Sequence, residues 1–488
     1  MSEWVSSEVP AFAVVGRVNM GKSSVLATLL EVDDDRVVRI SATPGETTRA
    51  QVLPVRFGGK ELVRFIDTPG FSRPLEAMRE IERMHGGGTP DLATVKRFVE
   101  ENLEGGEFED EARLLEPVVE GAGVLYVVDS SKPLRDAFVA EMEILRWTGR
   151  ARMALINKRG DGDVHEDEWR ARLGSYFNLV RTFNAHRARF EERRRLLASL
   201  LEIDEGHHYM LENALAALAD EWEERRLESA EVVMSLLREA LMLRVDTRLE
   251  EEDERLPHRK ERKLRDLGQK YFQRIRKLEE NSVSELLEIY RHHLIKLEME
   301  GERFEAIDLS ERENWRKWGL TRGQLVLAGG FAGAAGGALL DVSTGGLTHG
   351  VPTVLGGLAG AAATFWKGEQ LPEFSLGRGL NVSAGSGKTL EVGPPRSDNF
   401  PWILLDSILH CYCGILARAH GRRDEEVLRA EGGESLVRGL SRSQRSTLAK
   451  WFDGCAKRLP KADLEPGVFE EIRTILEDLD EERGMGRS

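Results

Sequence analysis

The chain has 488 residues, 41% of them hydrophobic and 31% charged, and a formal net charge of -15. That length exceeds what one compact core accommodates, so two or three domains are expected, and the negative charge argues against a broad nucleic-acid surface. Cys411, Cys413 and Cys455 are too few for a disulfide framework; they fit a reducing cytoplasm and read as core residues. The opening MSEWVSSEVPAF is neither basic nor apolar, so no signal peptide is expected.

Short apolar runs predict strands at Ala11–Val15, Gly123–Val128, Met153–Ile156 and Leu179–Phe183, and a hairpin pairs Gln51–Phe57 with Glu61–Ile66 around Gly58-Gly59. Helical patterns lie between them. This alternation predicts an α/β domain over residues 1–190, a mostly parallel sheet with helices on both faces. An insert at 71–115 contains the hinge Gly86-Gly87-Gly88. Apolar residues then recur at spacings of three and four (Leu211, Leu215, Leu218, Trp222; Leu264, Leu267, Tyr271, Ile275, Leu278), which predicts an α-helical stalk or bundle over 191–320 with breaks at Gly206 and Pro257. Residues 321–370 hold two Gly/Ala-rich, nearly uncharged runs, Gly323–Leu340 and Gly350–Trp366, joined by a polar turn containing Asp341. A mainly helical domain over 371–488 follows, with strand-like pieces around Thr389–Val392 and helices at Trp402–Ala419, Ser441–Arg458 and Gly467–Glu482.

Three stretches carry chemistry. Gly16-Arg17-Val18-Asn19-Met20-Gly21-Lys22-Ser23 has the G-x-x-x-x-G-K-[ST] pattern between a strand and a helix. Its glycines turn backbone N–H groups inward around phosphates, with Met20 and Ser24 inside the same cradle, and the helix dipole points at the same place. Lys22 neutralises the terminal phosphate oxygens, and the Ser23 hydroxyl holds Mg²⁺. Asp67-Thr68-Pro69-Gly70 ends a strand: Asp67 serves the metal and the Gly70 N–H meets the γ-phosphate. Between them, Thr43-Pro44-Gly45-Glu46-Thr47-Thr48-Arg49 offers a hydroxyl for Mg²⁺ that engages only with the γ-phosphate, from Thr48 with Thr47 in reserve.

In this order the three motifs resemble the Era/TrmE-like branch of the translation-factor-class GTPases. The resemblance implies GTP/GDP as ligand and GTP hydrolysis as activity. It implies an N-K-x-D contact to guanine, met here by Asn157-Lys158-Arg159-Gly160-Asp161, in which the aspartate is displaced by one; Asp161 or Asp163 takes its role if the loop bulges. It implies a final base loop at Asn184-Ala185-His186. Phe71 stands where glutamine often positions water, and Asn19 where similar proteins hold K⁺, so the resemblance implies slow hydrolysis that potassium, dimerisation or a partner quickens. Self-association through the GTPase domain is part of that expectation.

A second G-x-G-K-T at Ser383–Thr389 lacks the first glycine and a leading strand, and reads as a turn between strands. The Gly/Ala hairpin has two readings, inserted in a membrane or packed within the protein; glycine's poor helix propensity in water favours the first, the overall composition the second. With the segments around Gly393–Trp402 and Arg418–Asp424, the whole chain resembles bacterial Era-like GTPases carrying a C-terminal domain of unknown function. His420, Arg422 and Arg423 read as solvated helix ends before phosphate or partner contacts. The expected role is a GTP-hydrolysing switch with a membrane or membrane-protein partner, cytoplasmic with peripheral or inserted attachment at the inner membrane. The alternatives are a nucleotide-holding regulatory or scaffold subunit and a ribosome- or tRNA-associated GTPase.

Overall fold

A computed structural model describes residues 4–5, 9–31, 50–57, 60–158, 164–185, 188–292, 380–385, 389–395, 400–418, 435–460 and 462–484. The expected switch loop with Thr47 and Thr48, the turn Gly58-Gly59, Asp161, Asp163, His186, the Gly/Ala hairpin, and His420, Arg422 and Arg423 lie outside these residues. The chain divides into two compact units, one centred on residues 1–224 and the other on 225–488.

In the first unit, β1 (Ala11–Val15), β2 (Gln51–Phe57), β3 (Lys60–Asp67), β4 (Gly123–Asp129), β5 (Arg152–Asn157) and β6 (Leu179–Phe183) form one sheet in the order β2-β3-β1-β4-β5-β6. Only the β2–β3 pair is antiparallel. The central strands β1 and β4 are buried along their whole length, as expected where helices cover both faces. Alternate residues feed opposite cores: Phe12 and Val14 on one face, Ala11, Ala13 and Val15 on the other.

The second of these faces packs on α2 (Pro74–His85), α3 (Leu92–Asn102), α4 (Glu109–Glu120), α5 (Asp136–Trp147) and α6 (Glu166–Leu173). The first packs on α1 (Lys22–Leu30), α7 (Phe190–Ile203) and Leu211, Ala214 and Leu218 of the long helix α8 (His208–Met242). This unit therefore runs to residue 224, past the 190 that the strand pattern suggests. At the end of α1, the buried Glu31 forms an ion pair with the equally buried Arg193 of α7.

The second unit takes the remainder of α8, α9 (Glu251–Arg255), α10 (Pro257–Ile289), α11 (Phe400–Ala417), α12 (Arg442–Ala456) and α13 (Glu465–Gly484). Pro257 opens α10 at its first turn, where a missing N–H is harmless. The region expected to be purely helical also contains a strand, β7 (Val245–Arg248), which joins β8 (Leu380–Gly385) and β9 (Thr389–Pro395) in the order β7-β9-β8. Four residues of mixed polarity give no local strand signal; β7 exists because β9 offers a ladder. Of the second G-x-G-K-T, Gly385 ends β8 and Thr389 begins β9, and the two lie opposite each other in an antiparallel pair. Thr389 opens a strand where a phosphate loop needs a helix.

Among the described residues one helix, α11, is long and apolar enough to cross a membrane, with mean hydropathy 1.5 over 18 residues. Half of it is buried within the protein. Asp406 on this helix accepts from Ser435 Oγ and Val437 N, both at 3.0 Å, and Tyr412 donates to Asp480 Oδ1 at 2.9 Å. Such bonds tie α11 to neighbouring elements of the protein. Cys413 and Cys455 are buried, Cys411 is half-buried, and the described residues contain no cluster of metal-ligand type.

Candidate nucleotide-binding site

The turn after β1 is bent into shape by its own backbone. Gly21 caps α1 in the left-handed region, with φ 90°, and a Cβ there would lie 2.2 Å from Asn157 Nδ2. Only glycine fits both demands. Lys22 opens α1, so the positive end of the helix faces the turn. Its ammonium donates to Gly16 O at 2.9 Å and lies 3.5 Å from Arg17 O. Burial lowers the Lys22 pKa, while the charges of Asp67 and Glu141 act the other way. A half-buried cation on a turn of backbone amides is a receptor for an anion.

Asp67 ends β3 and is 8% exposed, close enough to Lys22 to act on its charge. Ser23, the second residue of α1, is half-buried at the same mouth. A hydroxyl and a carboxylate are hard oxygen donors, the ligand type Mg²⁺ takes, so these two residues fit the metal that the motif implies. Thr68 Oγ1 donates to Val14 O at 2.8 Å and fastens the second motif to β1. Gly70 then rests on the phosphate loop: a Cβ on it would come within 3.0 Å of Val18 N.

The base end is organised by Asn157, which is fully buried. Its Nδ2 donates to Met20 O at 3.3 Å and its Oδ1 accepts from Ala185 N at 3.3 Å. Asn157 is therefore a brace between the phosphate loop and the expected base loop. Ala185 O accepts in turn from Thr28 Oγ1 of α1 at 2.9 Å. Lys158 pairs with Glu166 at 2.5 Å. The structure thus gathers Gly16, Asn19, Met20, Gly21, Lys22, Ser23, Ser24, Asp67, Gly70, Asn157, Lys158 and Ala185 at the ends of β1, β3, β5 and β6; Thr48 and Asp161 are outside the described residues.

Several contributors carry no motif. Lys132, in the loop after β4, donates to Asn19 O at 2.8 Å, which places a fixed cation beside the residue assigned to potassium. Arg17 pairs with Glu141 of α5 at 3.4 Å, and Tyr126 of β4 donates to the same carboxylate at 2.8 Å. Burial pushes the Glu141 carboxyl up to about 8, against the pull of Tyr126, Arg17 and Lys22. One signal was available: Glu141 lies between Phe138 and Leu145 on the apolar face of α5, where an unsupported charge does not belong.

A strand, a glycine turn spanned by its own lysine, a helix and a neighbouring strand that ends in aspartate define a P-loop GTPase. Residues 11–158 match the family model of the 50S ribosome-binding GTPase, and residues 170–476 match that of a domain of unknown function, DUF3482. The second match spans more than half of the chain, which belongs to the DUF3482 family and carries a GTP-binding GTPase domain ahead of it. GTPase Der of Azoarcus sp. (strain BH72) is 29% identical over 164 residues, 34% of this chain and 30% of that protein. The probable GTP-binding protein EngB of Anaeromyxobacter sp. (strain Fw109-5) is 36% identical over 86 residues, 17% of this chain and 39% of that one. The chain thus spans well under half the length of these relatives. A crystal structure of Era with MgGDPNP and nucleotides 1506-1542 of 16S ribosomal RNA is similar at 16% identity and a TM-score of 0.28, covering 50% of this chain and 72% of that one.

Proposed function

We propose that the chain binds GTP with Mg²⁺, hydrolyses it slowly to GDP and phosphate, and uses the difference between the two states as a conformational switch. The observation that carries this is the convergence of Lys22, Asp67 and the Gly70 segment on one turn of backbone amides. Ser23 and Asp67, with Thr48, hold the metal, which supplies charge at the β- and γ-phosphates. Phe71 is buried and cannot orient water, so hydrolysis relies on added charge, from potassium at Asn19, from dimerisation through the GTPase domain, or from a partner.

The switch acts on a membrane or membrane-protein partner, with the Gly/Ala hairpin of 321–370 as the contacting element, the helices of 191–320 as the link and 371–488 as the closing domain. The protein works in the cytoplasm or on the inner face of the inner membrane. Phosphate release in single turnover, compared in potassium and sodium buffers, tests the chemistry; no release in either buffer, even with partner-containing membrane added, would leave a nucleotide-holding regulatory subunit. Fractionation of cells with and without residues 323–366 tests the location.

A second reading draws on the match of residues 11–158 to a ribosome-binding GTPase model. The net charge of -15 weighs against it. Co-sedimentation with ribosomes that depends on GTP would move the assignment there.

A further inference from the structure

The three residues that follow Gly70 are fastened to the start of α4, near the far end of the insert. Glu111 of α4 is 1% exposed, and its Oε1 accepts the N–H of Ser72 at 2.9 Å and of Arg73 at 2.5 Å. Ser72 Oγ donates to Asp110 Oδ2 at 2.8 Å. The Arg73 guanidinium reaches Glu107 Oε1 at 3.3 Å and lies over the Phe108 ring, 4.9 Å from its centroid. Phe71 is buried in the core beside α4. Ahead of this anchored segment, Gly70 leans on Val18 of the phosphate loop.

Closing a turn requires neutral acceptors only; a buried carboxylate gripping two successive amides is stronger and costs desolvation. Its position explains the expense, because it fixes the chain immediately behind the glycine whose N–H meets a γ-phosphate. We infer that Glu111 is a positioning residue for triphosphate recognition: by holding Ser72 and Arg73 it keeps Gly70 at the rim of the phosphate loop. The inference rests on the switch function proposed above. GDP has no γ-phosphate and does not use Gly70, so loss of the anchor falls on GTP. A role confined to seating the first turn of α2 would weaken both nucleotides alike.

The test uses the full chain with magnesium, and calorimetry with GDP and a non-hydrolysable GTP analogue. Glu111→Ala is expected to weaken the analogue about tenfold and GDP by less than about twofold. Glu111→Gln keeps the shape and one acceptor oxygen; it is expected to weaken the analogue about threefold, and it carries the comparison where the alanine variant does not melt cooperatively. Amide exchange at Ser72 and Arg73 should accelerate in the same order. Equal losses for both nucleotides, no loss for either, or unchanged exchange overturns the inference and leaves GTP binding standing. A wild-type chain that takes up neither nucleotide removes the switch function and the inference with it.

Discussion

The two ends of the nucleotide site are assembled differently. At the phosphate end, residues 16–23 are contiguous, their own backbone supplies the donors, Lys22 adds a cation from the start of α1, and Asp67 adds a carboxylate from the end of β3. At the base end, Asn157 and Ala185 come from separate strands, and the visible bonds of Asn157 hold loops together. The acceptor that the motif calls for, Asp161 or Asp163, lies outside the described residues. Grip on phosphate is thus a local property of one turn, whereas choice of base is a property of how several loops are held.

Lys22→Ala should have the largest effect. Removing the ammonium that the turn itself carries is expected to lower affinity for GTP and GDP alike by more than about 100-fold, read by calorimetry. A small loss would mean that the phosphate end is less dominant than the comparison holds. Asp161→Asn attacks the other end: GTP affinity should fall about tenfold and preference should pass to xanthosine triphosphate, since an amide donates where a carboxylate accepts. Unchanged preference would hand the role to Asp163.

Asn157→Ala strips the brace between the ends. A cost of about 1–3 kcal/mol in chemical denaturation is expected, with a larger loss of base selectivity than of phosphate affinity. Glu141→Gln should produce the smallest change and sharpen the account of what lies behind the turn. Glu141 faces Arg17, Lys22, Tyr126 and Glu111, and burial lifts its pKa from 4.5 to about 8. The folded chain then retains a proton that the unfolded chain releases, so this group's stabilisation is full below about 4.5 and fades as pH rises through 8. Between pH 5 and pH 9 the wild-type Tm should drop more than that of the variant, in thermal melts at matched ionic strength.

The sequence discloses what is periodic or contiguous. The strands of the first unit show as short apolar runs, and the phosphate loop is legible because its chemistry lies in adjacent backbone groups. Arg17–Glu141, Lys132–Asn19 and Glu111 with the Ser72 and Arg73 amides each join residues distant in the chain, and no spacing rule predicts their meeting. Strand β7 escaped for the same reason, since its partner strand begins at Thr389. Asn157 was legible as a motif residue, but its bracing role depends on Met20 and Ala185 arriving on either side of it.

The lean of Gly70 on Val18 bears on how variants at these two positions combine. A methyl group at position 70 pushes on the main chain of the other loop, and a change of bulk at Val18 pushes back. Changes at the two sites will therefore not add, although some fifty positions separate them in the chain. The hydrogen at position 70 works as a spacer gauge that sets how wide the mouth stands, and widening it alters the fit of every group the mouth receives.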